Sequence, residues 1–152
     1  MTREDVREEL SRADFIIAKL DASSQTSFDL INRPFPNLRF DHIVEGIKEL
    51  RKYFQRKFAL QIMFVQQNAY LAGNIAQLVR EINPDEIQIN TPLRPCGAKA
   101  LKKEALSEIK DLFSGANAIS VYESQKMIVT PISDDDTLSR RGKTLKKEKS
   151  QS

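Results

Sequence analysis

Lys19 and Asp21 stand two residues apart at the end of the apolar run Phe15-Ile-Ile-Ala-Lys-Leu20. On a strand, that spacing points both side chains to one side. An ammonium pairs with a carboxylate, and a carboxylate accepts hydrogen bonds from hydroxyl groups, so the pair could hold a small polar ligand. The same two residues could also form a salt bridge or a helix cap at a strand end, and both readings stay open. Asn68, closing Gln66-Gln-Asn68, is either a ligand contact or a turn-forming residue. Arg94 lies between Pro92 and Pro95 in Asn90-Thr-Pro-Leu-Arg-Pro-Cys96. Its forked donors suit an anionic substrate, and buttressing of the loop is the alternative. Asn90, at the start of that loop, is the second candidate for substrate binding.

Other reactive types are sparse. The sequence has one histidine, His42, and one cysteine, Cys96, which cannot by themselves make a four-ligand zinc site. A single cysteine excludes an internal disulfide and makes a reducing cytoplasm the expected compartment. His42, near a helix start, reads as an exposed helix residue, and Cys96 as structural or incidental. Asp134, Asp135 and Asp136 read as hydrated carboxylates in a loose tail. The formal net charge of +3 resides in the end of the chain: residues 139–152 hold six basic side chains against Glu148, and the remainder holds 18 basic and 20 acidic ones. A lysine-rich tail touches phosphates without specificity, so nucleic-acid binding is not the expected main function. No run approaches the roughly 20 apolar residues that span a bilayer.

The elements that must position these residues follow from periodicity. Phe15 to Leu20 has strand length. Leu38, Phe40, Ile43, Val44, Ile47, Leu50 and Phe54 recur at three- and four-residue steps, the mark of an amphipathic helix, with Asp41 placed to cap it. Phe58 to Val65 reads as a second strand, apolar enough to be covered on both faces. Leu71, Ile75, Leu78, Val79 and Ile82 define a further helix stopped by Asn83-Pro84. Glu86 to Asn90 is a third strand. Leu101, Ala105, Ile109, Leu112 and Phe113 line another helix that Gly115 can end, and Ala118 to Tyr122 is a fourth strand. This alternation is that of an α/β chain with a parallel sheet. Ligands in such folds bind where the C-terminal strand ends open into loops, here after Leu20, Val65, Asn90 and Tyr122. Residues 1–131 are expected to form the core, and 132–152 a disordered charged tail.

The combination Ala-Lys-Leu-Asp-Ala at 18–22, Phe28 with Ile31-Asn-Arg-Pro34, Ile43-Val-Glu-Gly-Ile-Lys-Glu-Leu50, Asn68, Gln88-Ile-Asn-Thr-Pro92 and Arg94-Pro95 resembles the second half of a radical S-adenosylmethionine (SAM) core. The likeness covers roughly residues 4 to 97. It implies a partial parallel (β/α) barrel, in which these are about the fourth to sixth strands of a (β/α)6 core. It also implies SAM and a [4Fe–4S] cluster as cofactors, the latter held by a Cys-x3-Cys-x2-Cys loop after the first strand. By resemblance, Lys19, Asp21 and Asn68 would contact SAM. The departure is large, because no cysteine precedes Cys96 and three thiolates cannot come from one. The first three strands are expected to be missing, so neither cofactor should bind this chain tightly. No metal ligand and no catalytic residue is assigned within it.

Two function classes follow. In the first, the chain is a fragment or split half of a radical SAM enzyme, contributing one wall of the SAM and substrate cavity and inactive without an N-terminal partner that carries the cluster loop. In the second, it is a non-catalytic remnant or a protein-binding α/β module. Either way, an exposed edge along Phe15 to Leu20 predicts self-association or a companion fragment.

Overall fold

The computed structural model describes residues 4–94 and 96–123. Their order is helix α1 (Glu4–Ser11), strand β1 (Phe15–Lys19), helices α2 (Gln25–Asn32) and α3 (Phe40–Tyr53), strand β2 (Lys57–Met63), helix α4 (Ala72–Ile82), strand β3 (Glu86–Asn90), helix α5 (Lys103–Asp111) and strand β4 (Ala118–Ser120). A single 3₁₀ turn, Ala69–Leu71, leads into α4. The four strands form one parallel sheet in the order β1-β2-β3-β4. Each strand therefore lies beside its successor, as one right-handed crossover per step requires. The expected α/β sheet is present, with three strands shorter at their ends: β1 stops at Lys19, β2 stops at Met63, and residues 121–123 turn away after Ser120. The expected charged tail at 132–152 lies outside the described residues.

The core sits on one face of this sheet. Ile16, Ala18 and Leu20 from β1 and its end, Phe58, Leu60, Ile62 and Phe64 from β2, and Ile87 and Ile89 from β3 join one hydrophobic cluster with Val44, Ile47 and Leu50 of α3, Ile75 and Val79 of α4, and Leu106 of α5. All the strand members have one parity, so the helices pack against a single face. The expectation that Phe58 to Val65 is covered on both faces is therefore corrected. The other face carries Phe15, Ile17 and Lys19, then Lys57, Ala59, Gln61 and Met63, then Glu86, Gln88 and Asn90, and finally Ile119. Phe15 and Ile17 are 40% and 45% exposed there.

Local chemistry sets the helix ends. Ser24 caps α2 through a reciprocal box with Ser27, satisfying N–H groups that have no helical partner. Arg33 closes α2 in the left-handed region at φ 45°. The start of α3 departs from expectation. Asp41 is not the N-cap residue, although its Oδ1 accepts from the first-turn His42 N at 3.0 Å. Phe40 N donates to Gln25 Oε1 at 2.7 Å, while Gln25 Nε2 donates to the Leu38 carbonyl at 3.2 Å. Asp41 also takes a two-pronged bond from Arg39, which holds its carboxyl down at about 2. Gly115, at φ 88°, makes the turn between α5 and β4, a conformation open to a residue without Cβ.

Candidate functional site at the strand ends

Asp21 leaves the end of β1 and is buried, at 7% exposure. Its Oδ1 accepts from Met63 N at 2.8 Å, tying the end of β1 to the end of β2. Its Oδ2 accepts from Asn32 Nδ2 at 3.2 Å, at the last turn of α2, and lies 3.4 Å from Lys19 Nζ. Lys19 and Asp21 are thus brought together, with the ammonium half in solvent. The Asn32-Arg33-Pro34 segment reaches this cluster through Asn32, while Arg33 faces outward.

Asn68 is fully buried. Its Oδ1 accepts from Val65 N at 2.8 Å, and its Nδ2 donates to the carbonyls of Asp21 and Met63 at 2.9 Å each. Every amide hydrogen of that side chain is engaged by backbone, so Asn68 clamps the ends of two strands to each other. Neutral amide geometry suits this role, since it offers two donors and an acceptor in one plane.

The third strand end is organised by Thr91, which sequence reasoning did not single out. It is buried, and its hydroxyl accepts from Leu101 N at 2.9 Å, folding the 92–100 loop back on itself. That loop crosses the end of β2 through a bridge between Val65 and Ala100. Asn90 is half-buried at the end of β3, beside Met63 in register. Arg94 is exposed on the loop, and the bonds of Lys19, Asp21 and Asn68 given above run to one another, to Asn32 and to backbone at Asp21, Met63 and Val65. Cys96 is also exposed, with Sγ 3.4 Å from the Ala98 carbonyl oxygen. Among the described residues no group of three or more His, Cys, Asp or Glu side chains could hold a metal ion. A three-thiolate cluster does not fit this donor set. Among the same residues no helix is long and apolar enough to cross a membrane.

No family model matches the chain. It is 28% identical over 148 residues to a UPF0026 protein of Methanocaldococcus jannaschii, a match covering 90% of this chain and 46% of that protein. It is 28% identical over 147 residues to the GTPase Obg of Brachyspira hyodysenteriae, covering 90% of this chain and 22% of that protein. A UPF0026 protein of Synechocystis is 36% identical over 105 residues, 65% of this chain and 37% of that one. The chain therefore spans less than half the length of each of these relatives. Its fold is that of a domain of pyruvate-formate lyase-activating enzyme from Bacteroides vulgatus, with a TM-score of 0.64 at 13% identity over 78% of this chain and 74% of that domain. The likeness to that domain is one of fold, and the sequence similarity is to parts of the UPF0026 proteins and of the GTPase.

The functional candidates that sequence reasoning missed lie on the open face: Lys57, Gln61, Glu86 and Gln88. A signal was present in β3, where Glu86-Ile-Gln-Ile-Asn90 alternates strictly between polar and apolar. Strict alternation marks a strand with one face uncovered.

Proposed function

We propose that this chain is the C-terminal portion of a radical SAM core, forming one wall of a SAM and substrate cavity and inactive by itself. The observation that carries the reading is the one-sided sheet. Four parallel strands in sequential order hold all their helices on one face, and the bare face is polar toward the strand ends. That is the cross-section of part of a barrel, whose inner surface faces a cavity. On this reading Lys19 and Asp21 contact SAM at the end of β1, with Asn68 holding the two strand ends in place. Asn90 and Arg94 face the substrate from the end of β3. The cluster-binding thiolates come from another segment that pairs along the free edge of β1. The relatives' greater length is compatible with such a segment.

The test compares the chain alone with the chain co-expressed with a polypeptide supplying three βα units and a Cys-x3-Cys-x2-Cys loop. After anaerobic treatment with iron and sulfide, the pair is expected to copurify, to hold one [4Fe–4S] cluster and to form 5′-deoxyadenosine from SAM. The chain alone is expected to do none of these. One cluster per monomer in the isolated chain would overturn the proposal, as would failure of the two pieces to associate.

A further inference from the structure

The rim of the sheet at the end of β3 carries positive charge that the fold does not use. Residues 94–103 hold Arg94, Lys99, Lys102 and Lys103 and no Asp or Glu, whereas the rest of residues 1–138 hold 14 basic and 20 acidic side chains. Sequence reasoning, which locates the positive charge in residues 139–152, passes over this shorter run. All four side chains are exposed, and none has an ion-pair partner among the described residues. Lys102 is the N-cap of α5 and makes no side-chain cap bond, and Lys103 is the first residue of that helix. A helix dipole disfavours cations at this end, so the two lysines work against the local structure. Residues that break a local rule with no compensating contact mark a functional surface. The loop that presents them is pinned. Leu101 N donates to the Thr91 hydroxyl at 2.9 Å, the Tyr122 hydroxyl donates to the Leu101 carbonyl at 2.9 Å, and Gln66 N donates to the Lys99 carbonyl at 3.3 Å.

An exposed aromatic ring stands on the segment bonded to this loop. Val65 is bridged to Ala100, and its carbonyl accepts from Ala69 N at 3.0 Å. That bond starts the 3₁₀ turn that holds Tyr70 at 75% exposure. Two hydrogen-bonded neighbours thus present cations and a tyrosine at one end of the sheet. Three of the four cations are lysines, which meet phosphate as point charges and lack the fork that suits a carboxylate. A free ring stacks on an unpaired base without regard to its identity. We propose that Lys99, Lys102, Lys103 and Tyr70 form a binding surface for a single-stranded polynucleotide, with phosphates on the lysines and a base on the tyrosine. Arg94, placed above toward the substrate, belongs to the same run, which makes a polynucleotide the substrate class of the proposed cavity. Its role as substrate rests on the cavity-wall reading, whereas its binding does not.

The test titrates the full chain into a fluorescein-labelled oligo(U) of about twelve nucleotides, within the usual span of such surfaces. Anisotropy is followed from roughly 50 to 200 mM KCl. Lys99→Gln, Lys102→Gln and Lys103→Gln together are expected to flatten the slope of log affinity against log salt by about 2, at about 0.7 per phosphate contact. Tyr70→Ala is expected to weaken binding about tenfold with that slope unchanged, and Tyr70→Phe to bind as the unaltered chain does. All four side chains are exposed, so these variants should keep the fold. Lys143→Gln, Lys146→Gln and Lys147→Gln together should leave the effect of Tyr70→Ala intact. Oligo(dT) titrated in parallel separates RNA from DNA as the source, since only RNA offers a 2′-hydroxyl. An unchanged slope in the variant of residues 99–103, or a complementary duplex bound as tightly as the single strand, overturns the assignment. Equal affinity for poly-glutamate overturns it in favour of an acidic polypeptide. Assembly of the co-expressed pieces without oligonucleotide binding refutes this surface alone, and binding without assembly refutes the cavity-wall reading alone.

Discussion

At the scale of residues, the strand-end cluster owes its shape to two buried side chains that spend themselves on backbone. Asn68→Ala removes three hydrogen bonds at a fully buried position and strands one N–H and two carbonyls. At roughly 1–3 kcal/mol for each buried group left unpaired, with some rescued by water, a loss of about 2–4 kcal/mol is expected in urea unfolding. Asn68→Asp should be damaging too, because a carboxylate cannot donate to the Asp21 and Met63 carbonyls. Glu86 gives a pH dependence. Lys57 Nζ meets its Oε2 at 2.7 Å and, with a hydrogen bond from Gln88, holds its folded pKa below the usual carboxylate value, so the unfolded chain binds a proton first as pH falls. The Lys57–Glu86 contribution is therefore present above about pH 4.5 and is lost as pH falls below it, through the folded pKa. Unfolding midpoints between pH 6 and pH 3 should drop less steeply in Glu86→Gln than in the unaltered chain. An identical slope in both would show that the pair contributes nothing.

Elements were legible in the sequence wherever a period was clean. The stripes on α3, α4 and α5 follow three- and four-residue steps, and most of the residues that the steps pick out are buried or partly buried. Leu38 and Leu112 are exposed, however, and the fully buried Leu106 of α5 fell outside its stripe. Helix α1 was invisible because EDVREELS has no apolar stripe and buries none of its residues. The open face was obscured in β2, where Ala59 and Met63 fill the outward parity with apolar types and hide the alternation that Lys57 and Gln61 begin. The Lys19–Asp21 pairing was foreseeable from spacing alone, whereas the contacts of Asp21 with Met63 and Asn32 depend on tertiary neighbours that no local pattern reports. The capping of α3 by Gln25, fifteen residues before Phe40, belongs to the same class. Gln25→Ala should cost about 1 kcal/mol, the usual scale of a lost cap, and loosen the 33–39 loop. Thermal unfolding and amide exchange at Phe40 would measure it.

For the whole molecule, the edge of β1 that has no strand partner among the described residues, with its exposed Phe15 and Ile17, matters most. Parallel strands are ordinarily protected on both faces, and an apolar edge recruits other chains. We expect the isolated chain to self-associate, and Ile17→Lys to shift it toward monomer in light scattering by placing a charge on the bare face. A stable monomer with strongly protected β1 amides would show that the edge is already covered. SAM should bind the isolated chain no more tightly than about 1 mM, roughly −4 kcal/mol, because the proposed site retains only one wall. Calorimetric titration decides this, and micromolar affinity that disappears in Asp21→Ala would contradict it.

The sequential strand order also governs how the molecule comes into being. Because β2 pairs with β1, β3 with β2 and β4 with β3, each strand emerging from the ribosome meets a finished template immediately behind it. At roughly 5–20 residues per second, synthesis leaves seconds between successive strands. The sheet can thus grow in one direction, with no strand waiting for a distant partner. In such a growth process β1 is the seed, and no later strand among the described residues reaches its outer edge. Growth among the described residues thus runs away from that edge, and assembly order is written into the topology.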